Sequence, residues 1–182
     1  PSRVHPKRPV EGFSCTRHEQ SGLRLWNLFK DKLGTPERFF RDHFIINYCP
    51  LAFFDRNGAN LTPDKLSKHD REPLLSVCDR FLARTLCLLR PQYAIGIGRF
   101  AESRIKAALS LLHAQWPAAG RPGLPPECAG QSGRGSKDGR AWNPDVVTAA
   151  HILHPSPASP AANRGWAAQA TRQLIEQGIW KN

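Results

Sequence analysis

His151-Ile152-Leu153-His154-Pro155-Ser156-Pro157-Ala158-Ser159-Pro160-Ala161-Ala162-Asn163-Arg164-Gly165-Trp166 is the stretch on which the fold turns. The apolar run from Val146 to Leu153 reads as a strand, and it ends on His154. A Pro155-Ser156-Pro157 turn follows at once. Ser159-Pro160 then opens a helical pattern, with serine as N-cap and proline as the first helical residue. The prolines fix φ, so the loop between strand and helix is stiff. Strand, rigid turn and helix N-terminus together put one imidazole at the mouth of a sheet, a place suited to holding an anion or pressing on a nucleic acid. Taken alone, the same letters also fit a solvated turn with an incidental histidine.

Working outward, Tyr93-Ala94-Ile95-Gly96-Ile97-Gly98 reads as a second buried strand, and Arg99 to Leu112 as the helix after it. This βα unit lacks a third glycine three residues beyond Gly98, where Ala101 stands, so no nucleotide-binding loop is expected. Phe44-Ile45-Ile46-Asn47-Tyr48 reads as a further buried strand carrying a single amide. Helices are predicted over Glu19–Leu33, with Leu23, Trp26, Leu28, Phe29 and Leu33 as the apolar stripe and Gly34 as C-cap, and over Pro36–Asp42 behind a Thr35 cap. Two more are predicted over Glu72–Arg90, with Pro73 in the first turn, and over Pro160–Gln177, ended by Gly178. Asp55 to Asn60 is a dense turn signal, and a basic segment with Lys65, Lys68, His69 and Arg71 follows it. Strands separated by helices imply a parallel sheet with crossovers, hence an α/β fold. Ligands in such sheets meet the C-terminal strand ends, where Asn47, Gly98 and His154 fall together.

The 182 residues are enough for one domain with a real core. A formal net charge of +11 predicts a polyanionic partner, first of all nucleic acid. A membrane surface is the alternative, but no basic amphipathic helix or run of 18 apolar residues supports it. The five cysteines have no regular spacing. Cys49, Cys78 and Cys87 read as buried thiols, which fits a reducing compartment. Cys15-Thr16-Arg17-His18 has no second ligand pair to answer it, so no metal is expected. Residues 1–12 read as an extended basic arm. Residues 113–145, rich in Gly, Ser, Pro and Arg, read as a low-complexity insertion.

His154-Pro155-Ser156-Pro157 followed by Pro160-Ala161-Ala162-Asn163-Arg164-Gly165-Trp166 resembles the second motif of the uracil-DNA glycosylase superfamily. It is most similar to the single-strand-selective monofunctional branch. The resemblance extends, in the family's order, through His5-Pro6-Lys7-Arg8-Pro9-Val10, Ser21-Gly22 with Arg24 and Trp26, Asn47-Tyr48-Cys49-Pro50-Leu51, Asn60-Leu61-Thr62-Pro63 and Gly96-Ile97-Gly98-Arg99. It implies a three-layer α/β/α fold whose parallel strands run in the order 2-1-3-4. The implied activity is a DNA-repair glycosylase that flips out uracil, and oxidised derivatives such as 5-hydroxymethyluracil, and hydrolyses the glycosidic bond with water. By resemblance, His154 stabilises the charge on the departing base. Asn47 reads the base edge, accepting from N3–H and donating to O4, a pattern that cytosine reverses. The wedge and its flank are Pro155, Ser156, Pro157, Ala158, Ser159, Pro160, Asn163 and Arg164. Asn57, Gly58, Asn60, Thr62, Lys65, Lys68 and Arg71 form a second DNA-contacting segment. The resemblance further implies single- and double-stranded DNA as partner, no cofactor, a monomer and a nuclear location.

Two departures matter. Ala158 and Ser159 stand where the family carries a bulky arginine and an asparagine, so the wedge fills a vacated stack less well, and single strands are expected to be better substrates than duplex. The family's first motif, a Gly-Met-Asn-Pro-Gly-type loop that positions water, falls upstream of His5. The chain opens Pro1-Ser2 and contains no methionine. The single glycosylase domain over 1–182 is therefore expected to be N-terminally incomplete, lacking its central first strand, to fold poorly and to catalyse little. A non-catalytic DNA-binding fragment is the alternative reading. A generic RNA-binding domain is disfavoured, since no paired-aromatic motif supports it.

Overall fold

A computed structural model describes residues 11–16, 18–115 and 143–181. The expected basic arm, with its His5–Val10 motif, and most of the expected insertion, residues 116–142, lie outside them. The chain divides into two compact units, Pro1–Ser76 and Val77–Asn182.

In the second unit, β3 (Tyr93–Ile97) pairs in parallel with β4 (Thr148–Ile152), in a register running from Tyr93↔Thr148 to Ile97↔Ile152. Both strands fall where the apolar runs predicted them. β4 starts two residues late because Pro144–Val146 form a 3-10 turn, whose cap Asn143 accepts from the amides of Asp145 (2.8 Å) and Val146 (3.2 Å) through Oδ1. The crossover is α4 (Arg99–Gln115), which packs on both strands and buries Ile105, Ala108, Leu109 and Leu112. That spacing is one face of a 3.6-residue helix. Gly96 explains how α4 comes so close: a Cβ there would stand 2.3 Å from the Glu102 main-chain nitrogen. The glycines at 96 and 98 therefore serve packing.

One ladder edge of each strand is used in this pair. Gly98 N–H donates to Ile152 O (2.8 Å) and Thr148 N–H to Gln92 O (2.9 Å). In a parallel ladder this leaves the main-chain groups of Ile95 and Ile97 on the other edge of β3. They have no hydrogen-bond partner among the described residues. The expected final helix divides at Gly165, whose φ of 89° is left-handed. Its parts are α5 (Pro160–Asn163) and α6 (Trp166–Glu176), and α6 buries Trp166, Ala170 and Leu174. A mixed helix-and-strand unit with a short parallel sheet is the α/β class the pattern predicted.

In the first unit, α1 (Gln20–Leu33) and α2 (Pro36–Asp42) form as predicted. Glu19 caps α1 by accepting from the amides of Ser21 and Gly22. Gly34, at φ 83°, ends it, and Thr35 Oγ1 caps α2. The stripe is corrected: Leu25 and Leu28 are buried, whereas Leu23 and Trp26 are more than 40% exposed. Trp26 instead makes an edge contact with Phe39 (centroids 5.4 Å apart), which also packs on Phe29.

Phe44–Tyr48 does not form a strand, contrary to expectation. Neither sheet of the described residues includes it. Phe44 is accordingly 60% exposed, and the segment is held by Tyr48 Oη donating to Leu75 O (3.1 Å). Next come two short strands the apolar pattern misses, β1 (Phe53–Phe54) and β2 (Asn60–Leu61), paired antiparallel across the predicted turn. α3 (Lys68–Leu89) starts four residues before Glu72, because Ser67 Oγ caps it by accepting from Asp70 N–H (3.1 Å). Pro73 therefore sits inside the helix, past the first turn. The Cys78 thiol is buried and Cys49 half-buried, and neither is in a disulfide. Cys87 is buried but disulfide-bonded, not a free thiol; an irregular cysteine spacing cannot reveal a pairing.

Gly96→Ala is expected to destabilise the chain by on the order of 2 kcal/mol, since the clash is with helix backbone that cannot swing aside. Urea unfolding of the two proteins measures it.

Candidate active site

β3 and β4 end side by side, and their C-terminal ends open into a cleft of about 270 Å³ lined by Gly98, Arg99, His151, Ile152, Leu153, His154 and Gln173. Within it Gly98 faces His154. A Cβ at 98 would lie 3.2 Å from His154 Cβ and 3.6 Å from its Cδ2. Gly98 also has φ 96°, a conformation that L side chains rarely adopt. Its lack of a side chain thus serves the turn into α4 and makes room for the imidazole. The His154 ring is exposed and has no hydrogen-bond or ion-pair partner among the described residues. It is free to donate to, or accept from, a ligand.

Beneath the cleft lies a charge cluster that motif reading misses. The Glu102 side chain, 12% exposed, meets Lys106 Nζ (2.7 Å), His151 Nδ1 (3.2 Å) and an Arg99 guanidinium nitrogen (3.6 Å). The hydrogen bond from Lys106 does most to hold the Glu102 carboxyl below its usual 4.5. Burial opposes this, and the charges of His151, Lys106 and Arg99 add to it. The signal was present in part: Arg99, Glu102 and Lys106 stand at the i, i+3 and i+4 spacings of helix neighbours. Nothing in sequence tells that His151, across the sheet, completes the group.

The loop after His154 is as stiff as its prolines predict. Pro155 is buried. Ser156 Oγ accepts from Ala158 N–H (3.2 Å), and Ser156 O accepts from Ser159 N–H (3.0 Å). Ser159 Oγ caps α5 by accepting from Ala162 N–H (3.4 Å), with Pro160 first in the helix. Asn163 Nδ2 donates back to Pro157 O (2.9 Å), closing the loop. Pro157, Ala158, Pro160 and Arg164 remain exposed, so the tip is a small, rigid, outward-facing knuckle. His154 and this loop are the predicted residues that one unit brings together.

The other predicted residues lie in the first unit. Asn47 is exposed, with no hydrogen-bond partner among the described residues, rather than buried in a strand. Asn57 and Gly58 form the tip of the β1–β2 turn, organised by Asp55, whose Oδ1 accepts from Asn57 N–H (2.8 Å) and Ala59 N–H (2.9 Å). Gly58 takes φ 76° there. Asn60 belongs to β2. Thr62 opens a 3-10 turn over Pro63–Lys65. Lys65 and Lys68 are exposed, Lys68 only 3.7 Å from Glu72, while Arg71 is half-buried on the first turns of α3. Among the described residues no three His, Cys, Asp or Glu side chains could together hold a metal ion. No helix of these residues is long and apolar enough to cross a membrane.

Over 179 residues, 98% of its length, the chain is 40% identical to the single-strand selective monofunctional uracil-DNA glycosylases of Rattus norvegicus and Mus musculus. The chain is a homologue of these glycosylases. The Bos taurus protein of the same description is 39% identical over the same length. The chain spans about half of these curated relatives, 53% of the rat and mouse proteins and 54% of the bovine one. No family model matches it. The resemblance read from the His154 and Asn47 motifs is thereby borne out across the chain.

The lowered Glu102 carboxyl has a definite consequence for stability. Its stabilisation is complete above the unfolded-chain value near 4.5 and is lost as pH falls through the lower folded value. Glu102→Gln is expected to lower stability at neutral pH and to flatten the loss of stability on acidification below that value. Melting curves of both proteins across the acid range measure it.

Proposed function

We propose that the chain acts as a DNA-repair glycosylase that takes uracil, and oxidised uracil derivatives such as 5-hydroxymethyluracil, out of the base stack and hydrolyses its glycosidic bond, leaving an abasic site. The observation that carries this is the His154 imidazole, without a partner among the described residues, packed on Gly98 at the mouth of a small cleft and followed by a proline-stiffened loop. A donor fixed beside a departing pyrimidinate stabilises the negative charge that develops on its carbonyl oxygen. No covalent nucleophile is required of the protein; water attacks the sugar. The rigid 155–164 loop serves as the wedge that occupies the vacated stack, and its small Ala158-Ser159 tip favours single strands over duplex.

Asn47 is proposed to read the base edge. Its exposed amide can accept from N3–H and donate to O4 of uracil, the arrangement that excludes cytosine. The β1–β2 turn and the basic start of α3, with Asn57, Gly58, Asn60, Thr62, Lys65, Lys68 and Arg71, are proposed to hold phosphates, in keeping with the net charge of +11. The three-layer fold with strand order 2-1-3-4 is part of the same reading. The free edge of β3 at Ile95 and Ile97 suits a parallel first strand, and the insertion expected over residues 113–145 is proposed to begin after α4 ends at Gln115. The proposed working form is a nuclear monomer acting on single- and double-stranded DNA without a cofactor.

The test is release of uracil from a single-stranded oligonucleotide, read as alkali-labile cleavage. The chain is expected to cut the uracil strand and to spare the same strand with thymine or cytosine. His154→Ala is expected to slow release by about 10²- to 10³-fold, the usual cost of one transition-state donor. Salt-sensitive DNA binding without any uracil release would contradict the proposal.

A further inference from the structure

β4 ends its ladder at Ile152, one residue short of Leu153 and two short of His154. Its edge facing away from β3 carries four polar main-chain groups over His151 and Leu153, and α6 with its capping residue meets all four through side chains. Gln177 Oε1 accepts from His151 N–H (3.1 Å), and Gln177 Nε2 donates to His151 O (2.9 Å). Gln173 Oε1 accepts from Leu153 N–H (2.8 Å). Trp166 Nε1 donates to Leu153 O (2.6 Å). Gln177 Nε2 also donates to Gln173 O (2.7 Å), tying the two glutamines together. Residues 166, 173 and 177 share one face of a helix. The pattern is the one a third strand would supply, made here by side chains.

Sealing an edge does not account for the position of the two bonds on Leu153. That residue lies beyond the last ladder pair: its N–H shares a peptide with Ile152 O, which accepts from Gly98 N–H (2.8 Å), while its own carbonyl meets no strand among the described residues. Gln173 holds its N–H and Trp166 its carbonyl, and that carbonyl is bonded directly to the nitrogen of His154. Gln173 also lines the cleft into which His154 opens.

We propose that Gln173 is a positioning residue for His154: its amide oxygen holds Leu153 N–H and thereby sets the height of the imidazole above Gly98. The inference rests on the proposed role of His154 in uracil release. An acceptor is what the position needs. Glutamate supplies one, whereas methionine, of like length, does not.

The experiment compares Gln173→Met and Gln173→Glu with the parent chain. It reads hydrogen exchange of the Leu153 amide by NMR, together with kcat and KM for uracil release. In Gln173→Met, Leu153 exchange is expected to rise about tenfold, the worth of one hydrogen bond. kcat is expected to fall by about 10- to 100-fold, with KM unchanged, the mark of a misplaced group. Gln173→Glu is expected to keep both near the parent values, a rescue that filling space alone would not give. Unchanged Leu153 exchange and kcat in folded Gln173→Met would overturn the proposal, as would loss of both in folded Gln173→Glu. A parent chain that releases no uracil, with Leu153 exchange still rising in Gln173→Met, would overturn the proposed function and support the clamp.

Discussion

Two absent side chains set how closely the working parts of the second unit can meet. At Gly96 the backbone of α4 comes within 2.3 Å of where a Cβ would be, and at Gly98 the Cβ of His154 comes within 3.2 Å. The helix N-terminus, the end of β3 and the end of β4 can converge only because neither position carries a side chain. The ladder bond from Gly98 N–H to Ile152 O, 2.8 Å long, then fixes the two strand ends to one another. The cleft follows from this convergence, because the strand ends stop together and the chain leaves them in opposite directions, into α4 and into the 155–157 turn.

The second constraint is that polar groups at a strand end must find partners. β4 meets it with Trp166, Gln173 and Gln177 on one edge and with β3 on the other. The His151 side chain adds a third restraint through Glu102. His154 itself is left unpaired among the described residues, so the restraints stop one residue short of the group offered to a ligand. A group held by its surroundings yet unsatisfied is what electrostatic stabilisation of a leaving group calls for, because little reorganisation is needed when charge develops. On β3 the same rule works the other way: Ile95 and Ile97 present an edge suited to another strand.

Much of this was legible in the sequence where a local signal sufficed. Glu19, Gly34, Thr35 and Ser159 act within a turn of their own positions; the first two helices came out as read, and Ser159 starts the first part of the last one. The βα unit at Tyr93–Leu112 and the stiff turn after His154 were likewise written in runs of neighbouring residues. What failed needed information from elsewhere in the chain. Phe44–Tyr48 has the composition of a strand but pairs with no strand among the described residues. α3 reaches back to Lys68 because Ser67 caps it, a weaker signal than the Pro73 that drew the expected start forward. Gly165 breaks the last helix by its handedness, which composition does not disclose. The Glu102–His151 pair and the glutamine edge are contacts between residues 49 and 20–26 positions apart, formed only once the sheet exists. For the site, the strand end at His154 and the stiff turn after it lie where the pattern placed them, while the side chains that hold them in place carry no local signal.

The central claim is that the cleft beside His154 receives a uracil base. An NMR titration of the chain with a uracil-containing single-stranded oligonucleotide, set against the same strand with thymine, tests it most directly. The account predicts uracil-dependent shifts of the Gly98 and Leu153 amides and of the His154 ring. Shifts that are the same for both strands, or that spare these three residues, would contradict it.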